Sequence, residues 1–422
     1  MAFSEPGRPA GRSAHVIGAG LAGLSAAVAL AGRGWRVTLS EAGPQAGGRC
    51  RSYFDRALGV RIDNGNHLLL AGNRAAIGYL TTIGARGTLT GPGRPLFPFC
   101  DLVSGERWVL APNLGRLPYW VLCPGRRVPG TRARDYLALR RLRHPGEQAT
   151  VAQALPDGAL YRRLLAPLAL AALNTATEQG SAALFGRVLA ESLGRGGAAT
   201  VPLYPKAGLS ESFIDPALTW LAERGAVVRF SQRIAALEDA DGRVAALATA
   251  DGERIALAPA TAVVVAAPAA VAATLLPGLL VPTSFEAILN LHFRIRAEPG
   301  PAGFVALLGG VAEWVFVKRE VVSVTVSAAA RLIERPAEEL ARQIWPEICQ
   351  ALDLSGEMPP VRVVKERRAT VAATPVQERK RPGAQTPLAN LVLAGDWTAT
   401  GLPGTIEGAI RSGQTAAELL CR

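Results

Sequence analysis

Cysteine is scarce in this chain, and its distribution excludes several kinds of site. Five cysteines are scattered along the sequence, at Cys50, Cys100, Cys123, Cys349 and Cys421. No two of them have the spacing of a zinc site or of a redox-active pair. We therefore expect free thiols in a reducing cytoplasm and no metal site.

Lysine and aromatic residues are also few. Only four lysines occur, so arginine supplies most of the net charge of +12, and aromatic residues make up 6% of the chain. The basic runs at residues 126–143 and 365–381 lack the interleaved aromatics of a nucleic-acid module, which argues against nucleic acid as a partner. An anionic membrane surface and a plainly solvated basic face both fit this charge. We expect a cytoplasmic protein that associates peripherally with the inner face of the membrane.

Long apolar runs without helix breakers are missing. Residues 255–285 carry no charge, but prolines interrupt them at Pro259, Pro268, Pro277 and Pro282. Residues 13–32 superficially resemble a signal peptide, yet glycines recur through them at the spacing of a strand-to-helix turn. We therefore predict no transmembrane helix.

The length and composition predict two domains. The chain has 422 residues, of which 49% are hydrophobic, so it can form more than one core. We predict an α/β fold: a Rossmann-like nucleotide-binding domain with an inserted α+β substrate domain. After a flexible tail at 1–12, the nucleotide-binding domain takes residues 13–105, 206–285 and 386–422. The substrate domain takes a mostly helical part at 106–205 and an antiparallel sheet with a helix at 286–385.

A glycine motif near the N-terminus is the first feature of the sequence that indicates a binding site. Gly18, Gly20 and Gly23 follow a predicted strand at residues 14–17 and open a predicted helix at 21–33. This G-x-G-x-x-G pattern permits a tight turn, a close approach of pyrophosphate and close packing of helix on strand. Glu41 ends the next predicted strand, where its carboxylate can accept hydrogen bonds from both ribose hydroxyls of an adenosine. The segment predicts dinucleotide binding and disfavours NADP.

Two further segments extend the cofactor site. Gly47, Gly48 and Arg49 let the chain turn over a cofactor and offer a cation to a phosphate. Near the other end, Asp396 follows a predicted strand and can hydrogen-bond a ribityl hydroxyl. A helix opens at Gly404 and Thr405, and its N-terminus can face the pyrimidine edge of a flavin. The order of these segments predicts FAD rather than NAD. The nucleotide-binding domain is therefore predicted to be a Rossmann-like FAD-binding domain of the glutathione-reductase type.

Several residues are candidates for the substrate side of the site. Gly65, Asn66 and His67 stand beside an apolar run, which is typical of a loop passing close to a flavin ring. His67 is a candidate catalytic proton donor or flavin ligand, with a purely structural histidine as the alternative. His292, in a predicted strand, is the second catalytic candidate, although an ordinary strand histidine fits equally.

Three apolar residues complete the candidates. Trp314 and Phe316 alternate on one predicted strand face, where they either line an apolar cavity or belong to the core. Ile234, at the start of a predicted strand, is a further candidate for contact with the cofactor.

The strand that begins at Ile234 belongs to a predicted set of short strands at residues 234–238, 244–250 and 255–258. Asp241 and Gly242 predict a turn between the first two of them.

With these residues in hand, the chain resembles the amine oxidase–phytoene desaturase superfamily of flavoproteins. Within that superfamily it is most similar to the hydroxysqualene dehydroxylases of bacterial hopanoid synthesis. The most specific matches are residues 44–52, 62–70 and 397–412. The resemblance implies that hydroxysqualene and reduced FAD give squalene, water and oxidised FAD. It also implies a long apolar isoprenoid substrate, but it identifies neither the catalytic acid nor the electron donor.

Other functions stay open on the sequence. A carotenoid-type desaturase would run the flavin in the oxidative direction. An amine oxidase would need an aromatic cage beside the flavin, for which the sequence gives no convincing signature. A prenyl-lipid escort protein of the same fold would need no catalysis, but the intact cofactor motifs argue against it.

Overall fold

The computed structural model describes residues 11–318 and 320–422, so most of the predicted tail at 1–12 lies outside the described residues. The strands are β1 (Ser13–Ile17), β2 (Arg36–Ser40), β3 (Ser52–Asp55), β4 (Val60–Asp63), β5 (Leu69–Leu70), β6 (Leu89–Thr90), β7 (Phe97–Asp101), β8 (Arg107–Leu110), β9 (Pro202–Pro205), β10 (Val227–Arg229), β11 (Ile234–Ala240), β12 (Arg243–Thr249), β13 (Arg254–Ala256), β14 (Thr261–Val265), β15 (Phe285–Phe293), β16 (Phe304–Leu308), β17 (Trp314–Lys318), β18 (Val321–Val326), β19 (Val361–Val371) and β20 (Leu391–Leu393). The α-helices are α1 (Leu21–Ala31), α2 (Arg74–Thr82), α3 (Val151–Ala154), α4 (Ala166–Leu173), α5 (Ala182–Glu191), α6 (Asp215–Ala222), α7 (Ala269–Leu275), α8 (Ala337–Leu352), α9 (Pro375–Arg379) and α10 (Ile406–Leu420).

A five-stranded parallel sheet organises the FAD-binding domain. Its strand order is β10-β2-β1-β14-β20, so β1 lies between β2 and β14. Both ends and the middle of the chain supply strands, which confirms the predicted Rossmann-like fold. Helices α1 and α10 pack together on this sheet, and Gly413 permits the contact because a Cβ there would meet the Ala22 carbonyl oxygen at 2.2 Å.

A three-stranded antiparallel sheet, β11-β12-β13, lies beside the parallel sheet. The predicted turn at Asp241 and Gly242 connects β11 to β12, and both residues have positive φ angles, of 51° and 73°. Such a pair of left-handed residues matches the twist of a tight hairpin. The predicted strands and turn of this region are therefore confirmed.

The substrate domain is built on a seven-stranded sheet of order β19-β15-β18-β17-β16-β7-β8. Helix α8 covers one face through Leu340, Ile344 and Ile348, which are all fully buried. The predicted domain boundary at residue 105 falls inside the β7–β8 hairpin. That hairpin joins this sheet because β7 pairs with β16, about two hundred positions further along the chain.

The region from 130 to 200 is less α-helical than predicted. Residues Ala133–Arg143 form a 3₁₀ helix instead of an α-helix. The apolar residues Tyr136, Leu139 and Leu142 recur every three positions, so they share one face only at the three-residue period of a 3₁₀ helix. In the described part of the chain no helix is both long and apolar enough to cross a membrane.

Candidate functional site

The glycine motif forms the turn between β1 and α1. Gly18 has a φ of +105°, and a Cβ there would lie 2.8 Å from the Ala266 carbonyl oxygen. A Cβ on Gly23 would lie 1.9 Å from the Gly18 carbonyl oxygen, so the third glycine lets α1 pack directly on the turn. A Cβ on Gly20 would meet nothing within 4 Å. The middle glycine therefore borders open space at the start of α1.

The second glycine loop packs against the first. The backbone N–H of Gly47 donates to the Ala19 carbonyl at 2.8 Å. Gly47 and Gly48 have positive φ angles, of 108° and 56°. A Cβ on Gly48 would point at the Gly20 Cα from 3.7 Å. The two loops thus border the same space, as the sequence predicts for a chain that turns over a cofactor.

Glu41 joins the end of β2 to the first glycine loop. Its carboxylate accepts hydrogen bonds from the backbone N–H groups of Ala19 and Gly43, both at 2.8 Å. These bonds hold the carboxylate at the C-terminal edge of the parallel sheet, where such folds bind dinucleotides. Its role as the ribose ligand stays a prediction.

We expect Glu41→Ala to weaken FAD binding by about 1–3 kcal/mol, because ribose hydroxyls and the Ala19 N–H would lose a charged acceptor. Titration of apoprotein with FAD measures the change. Glu41→Gln is the matched control, since it keeps the size and one acceptor and should lose less. An unchanged FAD affinity in the alanine variant would assign the ribose to another residue.

Arg49 forms an ion pair within the protein, and its contact with a cofactor phosphate stays a prediction. Its guanidinium donates to Asp396 Oδ1 at 2.7 Å and to the Ala369 carbonyl at 2.6 Å. The negative charge of Asp396 raises the pKa of Arg49 further above its ordinary value. Arg49 therefore neutralises the buried Asp396 carboxylate and fixes the turn after β20, because a buried carboxylate needs a charged partner.

The Asp63 side chain anchors the loop that carries Gly65, Asn66 and His67. Asp63 forms a 2.6 Å ion pair with Lys318 and also accepts from Ser52 Oγ and the Leu209 N–H. Burial alone would raise the pKa of Asp63, but Lys318 and the hydrogen bonds outweigh burial and hold that pKa below its usual range. The loop is therefore fixed at its base by a buried, ionised carboxylate.

The N-terminus of α10 is the third predicted cofactor segment. Thr405 caps the helix, its Oγ1 accepting from the Gly408 N–H at 3.1 Å. Gly404 lies against the turn after β20, since a Cβ there would be 3.1 Å from Asp396 Oδ2. Gly404, Thr405, Ile406 and Glu407 all line one cavity with the Asn66–His67 loop. Tertiary packing thus joins two segments that lie more than three hundred positions apart.

This cavity is apolar and has a volume of about 320 Å³. Such a volume is at the lower end of the roughly 300–1,000 Å³ of small-molecule sites. Much of its apolar wall comes from Phe97, Phe99, Leu164, Leu168, Trp314 and Phe316. Trp314 and Phe316 therefore line a cavity, and both also belong to a small apolar cluster with Phe304, so both interpretations of their alternation hold.

His67 lines the cavity next to Asn66. The pKa of His67 is lowered to about 4. Burial is the main cause, Lys318 and Arg49 act in the same direction, and the negative charge of Asp63 opposes them. The imidazole is therefore neutral at pH 7, where it can donate one N–H hydrogen bond but carries no exchangeable cationic proton.

Several polar cavity residues were missed by the sequence analysis. Asn66 Nδ2 donates to Thr325 Oγ1 at 3.2 Å, and Thr325 Oγ1 donates to Asn290 Oδ1 at 2.9 Å. Asn174 Nδ2 donates to Thr370 Oγ1 at 3.0 Å. Asn174 interrupts an otherwise apolar run and takes a left-handed φ of 48° at the end of α4. A lone asparagine after such a run was the signal available in the sequence.

One end of the cavity carries charged side chains. Arg411 forms ion pairs with Glu191 at 2.6 Å and with Glu407 at 3.1 Å. The hydrogen bond from Arg411 lowers the pKa of Glu191. Glu407 also accepts from the backbone N–H groups of Ala75 and Ala76 at the start of α2. Glu191 is therefore held as an anion and does not supply a proton.

His292 does not line the apolar cavity. It lines a separate polar cavity with Asp63 and Lys318. Its Nδ1 bonds Ser323 Oγ at 2.8 Å, while its Nε2 has no hydrogen-bond partner within residues 11–318 and 320–422. On β15 the residue that lines the apolar cavity is Ile288, and His292 lies four residues further along the strand. The position gives no support to the predicted catalytic role.

We expect His292 to make folding sensitive to acid. Burial, followed by Lys318, lowers its pKa from 6.5 to about 4. Between these values the unfolded chain binds a proton that the folded chain does not, so stability falls as the pH drops below 6.5. The free energy of unfolding should be about 2 kcal/mol lower at pH 5 than at pH 7.5 on account of this residue.

Urea unfolding at the two pH values tests this expectation. His292→Asn should lose that part of the pH dependence, whereas the same change at the exposed His144 should not. An equal pH dependence in wild type and His292→Asn would contradict a neutral buried imidazole.

Two further predictions can be placed. Ile234 is buried at the start of β11 in an apolar cluster with Ile17 and Trp397, and it is not among the described residues that line the cavity. Its contact with the cofactor stays a prediction. Nowhere in residues 11–318 and 320–422 do three or more His, Cys, Asp or Glu side chains gather in a way that could hold a metal ion.

The residues present fit FAD. The start of α1 has no side-chain cap, and open space lies over Gly20, which suits an anionic pyrophosphate. Asn66 Oδ1 is buried without a hydrogen-bond partner among the described residues and belongs to a cavity-lining side chain, which suits a ligand that carries N–H or O–H donors. Gly18, Gly20, Gly23, Glu41 and Gly48 would hold the dinucleotide, and the Asn66 loop and α10 would hold the flavin end.

Comparison with known proteins identifies relatives over almost the whole chain. The family described as "Flavin containing amine oxidoreductase" matches residues 21–295 and 314–421. The hydroxysqualene dehydroxylase of Sinorhizobium fredii is 47% identical over 409 residues, which cover 97% of this chain and 98% of that protein. The hydroxysqualene dehydroxylase of Rhodopseudomonas palustris is 48% identical over 410 residues, with the same coverage.

A solved structure supports the fold. An oxidoreductase from Methanosarcina mazei superposes with a TM-score of 0.72 at 14% identity, covering 96% of this chain and 100% of that chain. At this identity the likeness supports the arrangement of sheets and helices alone.

Proposed function

This chain belongs to the hydroxysqualene dehydroxylases within the flavin-containing amine oxidoreductases, and from that membership we propose that it converts hydroxysqualene into squalene. In this reaction a C–O bond is replaced by a C–H bond, and the hydroxyl group leaves as water. Bound in its reduced form, FAD supplies a hydride equivalent for such chemistry. The rest of the task belongs to the protein.

The observation that carries the proposal is the position of the apolar cavity. It is lined by aromatic and aliphatic side chains and reaches Gly404, Thr405 and the Asn66 loop, which are predicted cofactor residues. An isoprenoid chain offers little but apolar surface, so the walls would bind it by burial. The same walls would exclude water from a cationic centre that water would otherwise trap.

The polar residues of the cavity would orient the substrate hydroxyl. His67 and Asn66 are adjacent in a loop fixed by the Asp63–Lys318 ion pair. The neutral imidazole would donate an N–H hydrogen bond to the hydroxyl oxygen and so assist its departure. Arg411 holds Glu191 ionised, which makes His67 a better candidate than Glu191 for this role.

Product analysis with a deuterium label tests the proposal. The holoenzyme is reduced in deuterated buffer without oxygen, where the N5 hydrogen of the flavin exchanges with solvent, and is then mixed with hydroxysqualene. We expect squalene that carries deuterium at the former carbinol carbon, together with oxidised flavin. Squalene without that label would refute hydride transfer, and the absence of squalene would refute the reaction.

The same assay separates the alternatives. A dehydrogenated polyene made from squalene by the oxidised enzyme would support a carotenoid-type desaturase. Flavin reduction by a simple amine would support an amine oxidase. If hydroxysqualene does not oxidise the reduced flavin, and neither squalene nor an amine reduces the oxidised flavin, the result would support an escort protein.

A further inference from the structure

Residues 114–143 expose large apolar side chains that a protein in water would normally bury. Leu117 is 80% exposed and Leu122 is 67% exposed. The set of exposed apolar side chains in this segment is Leu114, Leu117, Tyr119, Leu122 and Leu137. Exposed apolar residues are common singly, but a group within one short segment indicates a contact surface.

The segment that carries them is ordered by its own contacts. Asn113 accepts from the Trp120 N–H at 3.2 Å and donates to the Leu117 carbonyl at 2.9 Å. The rings of Trp120 and Tyr136 meet edge to face with centroids 5.2 Å apart. The buried Trp120 thus ties the loop to the 3₁₀ helix Ala133–Arg143 and leaves the leucines outside.

Arginines are frequent in the same segment. Residues 113–143 contain eight arginines and a single acidic residue, Asp135, whose carboxylate accepts from the Arg132 N–H at 2.7 Å. Six of the arginines are exposed, namely Arg116, Arg132, Arg134, Arg140, Arg141 and Arg143. We refer to the exposed apolar and arginine side chains of residues 114–143 as the Leu/Arg face.

The Leu/Arg face covers one end of the apolar cavity. Pro112, which precedes it, lines the cavity, as do Leu193 and Thr200. Between the last two, the Ala198 N–H donates to the Leu114 carbonyl at 2.9 Å. The backbone that forms this wall of the cavity is therefore bonded directly to the backbone of the exposed segment.

We propose that the Leu/Arg face docks the protein on an anionic lipid bilayer, with the end of the cavity at Pro112 and Leu193 turned toward the lipid. The leucines and Tyr119 enter the boundary between headgroups and acyl chains, and the arginines contact lipid phosphates. The function assigned to this docking, delivery of an apolar substrate from the bilayer, rests on the proposed dehydroxylation. The docking itself follows from exposure and charge complementarity.

Flotation of the holoenzyme with lipid vesicles tests the apolar part. Wild type should float with vesicles of phosphatidylcholine and phosphatidylglycerol and stay unbound with phosphatidylcholine alone. Leu117→Glu combined with Leu122→Glu should reduce the bound fraction at least tenfold or so, since apolar insertion is lost and anions are added. Leu280→Glu combined with Val376→Glu, at exposed positions far from this segment in sequence, is the matched control and should bind like wild type.

A second pair of variants tests the charge. Arg140→Glu with Arg141→Glu and Arg86→Glu with Arg94→Glu lower the net charge equally, from +12 to +8. Only the first pair should lose at least roughly tenfold in binding, because only those arginines would face the lipid. Equal losses in the two pairs would reduce the effect to net charge and overturn the docking surface.

Two other results would also overturn it: wild type that fails to float, and Leu/Arg-face variants that float like wild type. Flavin content reports that each variant is folded. Turnover of hydroxysqualene in detergent micelles separates the two proposals. Activity in micelles without flotation would refute the docking alone, whereas flotation without activity in any assay would refute the dehydroxylation and leave the docking intact.

Discussion

Gly23→Ala is expected to lower the free energy of unfolding by about 3 kcal/mol or more, although alanine is the better helix former. The added methyl group would lie 1.9 Å from the Gly18 carbonyl oxygen and 3.2 Å from the Ala266 Cβ. Helix α1 would have to move away from β1, and both the glycine turn and the α1–α10 contact would shift with it. Urea unfolding of the apoprotein measures this change.

Gly20→Ala is the matched control and should behave in the opposite way. Its methyl group would meet no protein atom within 4 Å, and the φ of Gly20 is −72°, which alanine adopts freely. The apoprotein should keep its stability, whereas FAD affinity should fall at least roughly tenfold because the methyl group enters the space assigned to pyrophosphate. Normal FAD affinity in Gly20→Ala would show that the open space over α1 serves another purpose.

His67→Gln is expected to slow turnover of hydroxysqualene by roughly 10–150-fold, because a hydrogen bond from the imidazole N–H to an oxygen that gains negative charge as it leaves is worth about 1.5–3 kcal/mol. The reason is that His67 lies in the cavity beside Asn66 and can reach a hydroxyl group there. Because burial lowers its pKa to about 4, the imidazole is neutral across the working pH range. We therefore expect the wild-type rate to show no decline as the pH rises through 6.5.

Single-turnover reoxidation of reduced enzyme, followed at several pH values, measures this step. His144→Gln, at an exposed position, is the control and should keep the wild-type rate. If His67→Gln also kept that rate, a different cavity residue would have to assist the leaving hydroxyl. A rate in wild type that falls with an apparent pKa near 6.5 would contradict the neutral imidazole.

The cofactor motifs could be predicted because each depends on local backbone geometry. Gly18, Gly47 and Gly48 need positive φ angles, and the strand–helix–strand order at residues 13–40 leaves a parallel pair as the only common arrangement. Such requirements are visible within a few residues of sequence. The Asp241–Gly242 hairpin was predictable for the same reason.

The partner of Arg49 could not be predicted in this way. Its carboxylate, Asp396, lies 347 positions away and is brought close only because β1, β14 and β20 belong to one sheet. The sequence shows a cation next to two glycines, and a phosphate is the natural partner for it. In the folded protein Arg49 lies beside the buried Asp396 carboxylate, and a buried carboxylate is costly without a cation.

The sequence by itself determined the cofactor and the Rossmann-like fold, because these follow from glycines, acidic residues and periodicities within short segments, and the same segments carry the resemblance to the family. Tertiary structure decided which histidine faces the apolar cavity, since both His67 and His292 were candidates until the packing of the sheets separated them. It also decided that Leu114, Leu117, Leu122 and Leu137 stay outside the core, whereas Trp120, Tyr136 and Leu142 are buried. Both outcomes depend on how the sheets and loops pack against one another, and packing between distant segments leaves no local pattern in a sequence.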